Sequence, residues 1–314
     1  MRRILTAITF ALMFAGIPAL AQTRQSQRTA PYFEFHSNFW LNLHQTLFFE
    51  ATGKSAPTDG SQNSPWELAV KFYKDHYSGH SLLFDPELVR INDWLATQAY
   101  DGHNLDTSGL PTDIGKVLQS ASENYRSKWI TANSNNESWI KIMEPKINAI
   151  APNVVPQLEA ELRMPWPENP IRVDVSDYVR AIGEAYTTDN PPHTTISSRN
   201  PQNQDIAGLE IMFHEASHTM SRKIEEALST ECAAQKKNCG DLWHAVLFYT
   251  VGNAIKQALP TDQKPTFVPY AYRFGLYNHG AWKVYRMALE KDWQPYLDGK
   301  IEFADAIRAL VNDL

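Results

Sequence analysis

His214-Glu215-Ala216-Ser217-His218 is the stretch of this chain from which both its architecture and its chemistry can be read. Two histidines four residues apart lie one turn above each other on a helix, so both imidazoles can reach one ion. Glu215, beside the first of them, can point at a water on that ion, take its proton and later deliver it to a leaving group. The flanks suit a buried helix: Leu209, Ile211, Met212 and Phe213 are apolar, no proline interrupts 211–220, and Glu215 is the only charged residue there. Two imidazoles and a carboxylate buried in apolar surroundings are costly unless they have partners, which points to a ligand. The alternative is a helix whose polar residues merely face water.

Outward from this stretch the local signals alternate between strand and helix. Asp205 can cap a helix expected over 206–228, with the polar run 199–204 as the loop before it. Upstream, His193-Thr194-Thr195-Ile196-Ser197-Ser198 is a short β-branched segment after Pro191-Pro192. Ile171-Arg172-Val173-Asp174-Val175 alternates like a strand. Downstream, a helix is expected over 242–259, with Asp241 at its N-cap and Pro260 beyond its end. Further helical patterns lie near 280–291 and 302–313.

The proline-rich run 164–170 marks a change of texture, and everything before it reads as helices. Phe39, Trp40, Leu43, Leu47 and Phe48 share one helical face. Ser64-Pro65-Trp66-Glu67 is a start signal, with Gly79 as its stop, and Asp85-Pro86 opens a helix through 95. Helical pattern continues over 113–130, 137–147 and 155–162. The expected fold class is therefore α+β, dominated by helices, with a small sheet next to the active-site helix. A helical N-terminal lobe (22–165) and a zinc-binding catalytic lobe (166–314) are expected to form one continuous domain. His36, His44, His76, His80 and His103 are scattered through the first lobe and read as surface or satisfied core residues.

The chain has 314 residues, 43% hydrophobic and 11% aromatic, which excludes global disorder. Its 29 basic and 35 acidic residues give a net charge of -6 without long basic runs, so no nucleic-acid partner is expected. Arg2-Arg3, an apolar run over 4–16 and Pro18-Ala19-Leu20-Ala21 read as a signal peptide (1–21) cleaved after Ala21. The protein is thus expected to be exported, periplasmic or secreted, with no stable membrane insertion. In an oxidising compartment the two cysteines, Cys232 and Cys239, are expected to pair and to tie the end of one helix to the start of the next.

The stretch 214–218 resembles the active-site helix of zinc metallopeptidases of the HExxH (zincin) type. The region of about 190–285 is similar to secreted bacterial metallopeptidases. The resemblance implies that His214 and His218 bind zinc, that Glu215 is the general base, and that the strand 193–198 aligns a peptide substrate. A metzincin would carry Gly and His where Ser221 and Ile224 stand, so that subclass is excluded. Glu225 and Glu226 lie some 10–12 Å further along the same helix, too far to coordinate. His244, one turn into an apolar helix, is the preferred third ligand, with Asp241 behind it; Asp241 or Glu231 as ligand are the alternatives. For the oxyanion donor, the cluster Tyr270, Tyr272, Tyr277 and His279 offers candidates, of which Tyr277 and His279 are preferred. The function expected is peptide hydrolysis by a zinc-bound water. Hydrolysis of another acyl bond and a non-catalytic exported protein with a structural metal are the competing readings.

Overall fold

Val173 and Val175 alternate with Arg172 and Asp174 in the central strand of a four-stranded sheet. The computed structural model describes residues 31–53 and 64–314; the expected signal segment 1–21 lies outside them. The sheet comprises β1 (Phe33–His36), β2 (Ile171–Ser176), β3 (Ala185–Asp189) and β4 (Pro192–Ser197), in the order β1-β2-β4-β3. β1, β2 and β4 run parallel, and β3 pairs antiparallel with β4. The 193–198 segment is a strand, as expected, and lies inside the sheet; the edge position belongs to β3. Sequence patterning missed both β1 and β3, which are only four and five residues long.

Around the sheet lie α1 (Phe39–Thr52), α2 (Pro65–Tyr77), α3 (Pro86–Ala96) and α4 (Thr112–Leu162). They are followed by α5 (Asp205–Ser217), α6 (Arg222–Gln235), α7 (Leu242–Ala258) and four shorter helices: α8 (Tyr270–Arg273), α9 (Trp282–Ala288), α10 (Gln294–Leu297) and α11 (Phe303–Asn312). The fold is α+β and helix-dominated, with about 64% of the described residues helical. No helix among the described residues is long and apolar enough to cross a membrane.

Two further expectations change. The three helices expected over 113–162 are one helix, α4, which runs through Pro145, Pro152 and Pro156. Proline breaks an isolated helix, but here Trp139, Met143, Ile147, Ala151, Val154, Val155, Leu158 and Leu162 are buried on one side across all three prolines. That continuous apolar stripe keeps the helix going. Conversely, the helix expected over 206–228 is interrupted. A 3-10 turn, His218–Met220, separates α5 from α6. The hydroxyls of Ser217 and Thr219 donate back to the carbonyls of His214 and Ala216, each at 2.7 Å. Such back-bonding competes with the helical ladder and bends it.

Two apolar cores result. One packs α1–α3 against the first half of α4. The other gathers β1, β2, the second half of α4, α5, α7 and the C-terminal helices. Phe33, from near the start of the described chain, sits in this second core against Trp166 and Phe213. The core behind the site is therefore built from both sides of the proline-rich run.

Candidate metal centre

Three histidines converge where α5 meets α7. His214 and His218 come from the end of α5 and the turn that follows, and His244 from the first turn of α7. Their ring centroids lie 4.9 Å (214–218), 5.0 Å (214–244) and 5.0 Å (218–244) apart. One ring nitrogen from each falls within 4.8 Å of the others, and the Nε2 atoms of His214 and His244 are 3.0 Å apart. Burial, with the neighbouring His218 and His244, holds His214 well below the usual histidine pKa. Burial, with His244, lowers His218 to about 3. Burial lowers His244 to about 4, against the opposing charge of Asp241. Three imidazoles whose ring nitrogens face one another can turn three lone pairs toward one ion, a donor set suited to zinc. The residues present therefore fit a divalent metal ion.

The helix pairing explains the convergence. The His214 ring stacks on Phe248 at 3.5 Å between centroids, and Phe248 lies one turn after His244 on α7. Trp243 and Trp282 meet His218 and His244 edge-on at 5.7 Å each. Cys232 and Cys239 are joined in a disulfide, which links the last turn of α6 to the loop before α7. These neighbours leave the imidazoles in an apolar, aromatic setting in which electrostatic interactions are strong.

Glu215 is buried beside the triad. Burial raises its carboxyl to about 8, against a weak hydrogen bond from Thr187 on the edge strand at 3.5 Å. The Thr187 and Thr194 hydroxyl oxygens are 2.8 Å apart, so β3 and β4 both position this contact. Edge strand β3 thus lies next to the general-base candidate, backed by β4.

The alternative ligands are engaged elsewhere. Glu231 accepts from Gln235, and Asp241 accepts from the indole of Trp282 at 2.9 Å; neither belongs to the converging group. Asp241 does occupy the N-cap position of α7, but its side chain makes no capping bond. Its backbone carbonyl accepts the His244 N–H at 3.0 Å, and its charge opposes the lowering of the His244 pKa. Tyr277 is buried, and its hydroxyl donates to the Ala245 carbonyl at 3.0 Å, so that proton is already committed behind α7. His279 is exposed. Tyr270 is committed as well. Its pKa is raised by burial and by the nearby charge of Glu215, its ring lies along Phe248, and its hydroxyl donates to Gln202 at 3.0 Å. Phe248, Thr187, Trp282 and Glu210 also escaped the sequence reading. Phe248 and Glu210 could have been found from their spacing of four from His244 and His214.

No protein-family model, no curated protein and no solved structure matches this chain.

Proposed function

We propose that this protein is an exported, zinc-dependent metallopeptidase of the HExxH type, acting on peptide or protein substrates. The observation that carries the reading is the convergence of His214, His218 and His244 with Glu215 buried alongside. Three histidines would hold zinc and leave a position open for water. When bound, zinc would supply Lewis acidity toward a water and toward the carbonyl of the bond to be cut. Glu215 accepts the water's proton and passes it to the departing amine. Thr187 steadies the Glu215 carboxylate, and β3 offers backbone groups alongside which an extended peptide can be aligned. Tyr270 would have to give up its bond to Gln202 to donate to a developing oxyanion.

The test is digestion of a peptide library by the purified protein. Cleavage should stop with a chelator and return with zinc. Glu215→Gln should keep its zinc while turnover falls by at least about 100-fold. Cleavage of other acyl substrates but no peptide would replace the peptidase reading with that of a zinc hydrolase. Zinc-loaded protein inert toward all of them would make the metal structural.

A further inference from the structure

Glu210, His214 and His218 recur every fourth residue along one face of α5 and the turn after it. Gly252, Phe248 and His244 answer them in reverse order along α7. The pairing is close at every level. A Cβ at position 252 would lie 3.0 Å from Glu210 Oε1, the His214 ring stacks 3.5 Å from Phe248, and the His218 and His244 rings are 5.0 Å apart.

Two polar atoms on this face are buried without a hydrogen-bond partner among the described residues: Glu210 Oε1 and His214 Nδ1. Glu210 is 1% exposed, and its other oxygen, Oε2, accepts the Tyr270 N–H at 2.7 Å. Holding that N–H does not require a charge, because a glutamine carbonyl would serve. The spare oxygen is an acceptor lacking a donor, and each such buried group is costly.

The matching donor follows from tautomer chemistry. A neutral imidazole that gives its Nε2 lone pair to an ion must carry its proton on Nδ1, which is then a donor. His214 Nε2 is the atom that faces His244, so Nδ1 is left to find an acceptor. Side chains four apart on a helix are neighbours, and each leans toward the helix N-terminus, which carries His214 toward Glu210. We propose that Glu210 is a positioning residue of the metal centre: Oε1 takes the Nδ1 proton of His214 when that ring binds the ion, while Oε2 keeps hold of the Tyr270 N–H. One carboxylate then fixes the tautomer and tilt of a ligand and the start of α8. Gly252 leaves room for it. The inference rests on the triad being a metal centre.

The test compares zinc affinity, by competition with a chromogenic chelator, in wild type, Glu210→Gln and Glu210→Ala. Glu210→Gln preserves volume and the Tyr270 bond but presents an amide N–H where a carboxyl oxygen stood. Its zinc affinity should fall about 10-fold or more, as on loss of a carboxylate behind a ligating histidine. The unfolding midpoint of its zinc-free form should not change. In wild type loaded with zinc, nitrogen-15 NMR should show a slowly exchanging Nδ1 proton on His214 that disappears in both variants. Unchanged affinity in Glu210→Gln, or a loss that merely tracks zinc-free stability, would overturn the role of Glu210 alone. A wild type that binds no zinc would remove the metal centre, and this inference with it.

Discussion

His244 and Asp241 illustrate how one turn of chain separates a member of the histidine triad from a bystander. Both sit at the start of α7, three apart, yet only His244 meets the other two imidazoles, while Asp241 turns to Trp282. His244→Ala should therefore lower zinc affinity by more than the roughly 10- to 100-fold expected for a merely supporting group. Asp241→Ala should change it little, and zinc titration of the two variants checks both outcomes. The His214–His218 pairing was legible because helix geometry makes it a property of five consecutive residues. His244 was legible because a histidine one turn into an apolar helix needs a partner. The direction of the Tyr277 hydroxyl was not, since it depends on the Ala245 carbonyl, 32 residues away in sequence.

Between elements, buried charges do what apolar packing cannot. His193 on β4 places Nε2 2.9 Å from Asp174 of β2 and Nδ1 3.2 Å from Asp93 of α3. Ionised carboxylates only accept, so both bonds are made together when His193 is an imidazolium, and they favour that form. Arg172 grips Asp174 through its guanidinium and completes a neutral set in which His193 and Asp174 are buried and Arg172 and Asp93 partly exposed. Burial works against the charge on His193, but the hydrogen bonds to Asp174 and Asp93 outweigh it and raise the pKa above 6.5. A raised folded-state pKa gives stability that is fully present below 6.5 and is lost as the pH climbs through the folded value. The loss on alkaline titration should be smaller in His193→Asn than in wild type, as measured by denaturant unfolding across that range; equal slopes would refute the assignment. The disulfide acts at the same scale. Cys232→Ser with Cys239→Ser should cost about 2–3 kcal/mol of unfolding free energy and should weaken zinc binding, because the start of α7 would no longer be tied to α6. The helices with clear caps, such as α2 after Ser64 and α3 after Asp85, were legible from the sequence. The break at His218 and the unbroken run of α4 were not. The first depends on hydroxyls bonding back to the helix, and the second on a buried stripe overriding three prolines.

At the scale of the whole molecule, one core joins β1, the second half of α4 and the C-terminal helices around α5 and α7, so the triad and the fold are coupled. An ion that binds only the folded chain stabilises it by mass action, about 2.7 kcal/mol when free zinc is 100 times the dissociation constant. Thermal unfolding with and without zinc should show that increment, and His218→Ala should abolish it. Expression with the natural N-terminus should yield mature protein beginning at Gln22, read by N-terminal sequencing of the secreted or periplasmic fraction. The α+β class was legible from strand-like and helix-like periodicity, whereas the sheet order was not, because β1 pairs with a strand well over a hundred residues away. The most direct test of the central claim is the metal content of the protein purified without chelator, by elemental analysis. About one zinc per chain in the wild type and little in His214→Ala, His218→Ala and His244→Ala is the expected result. Metal-free wild type, or zinc retained in full after loss of any one of the three histidines, would contradict it.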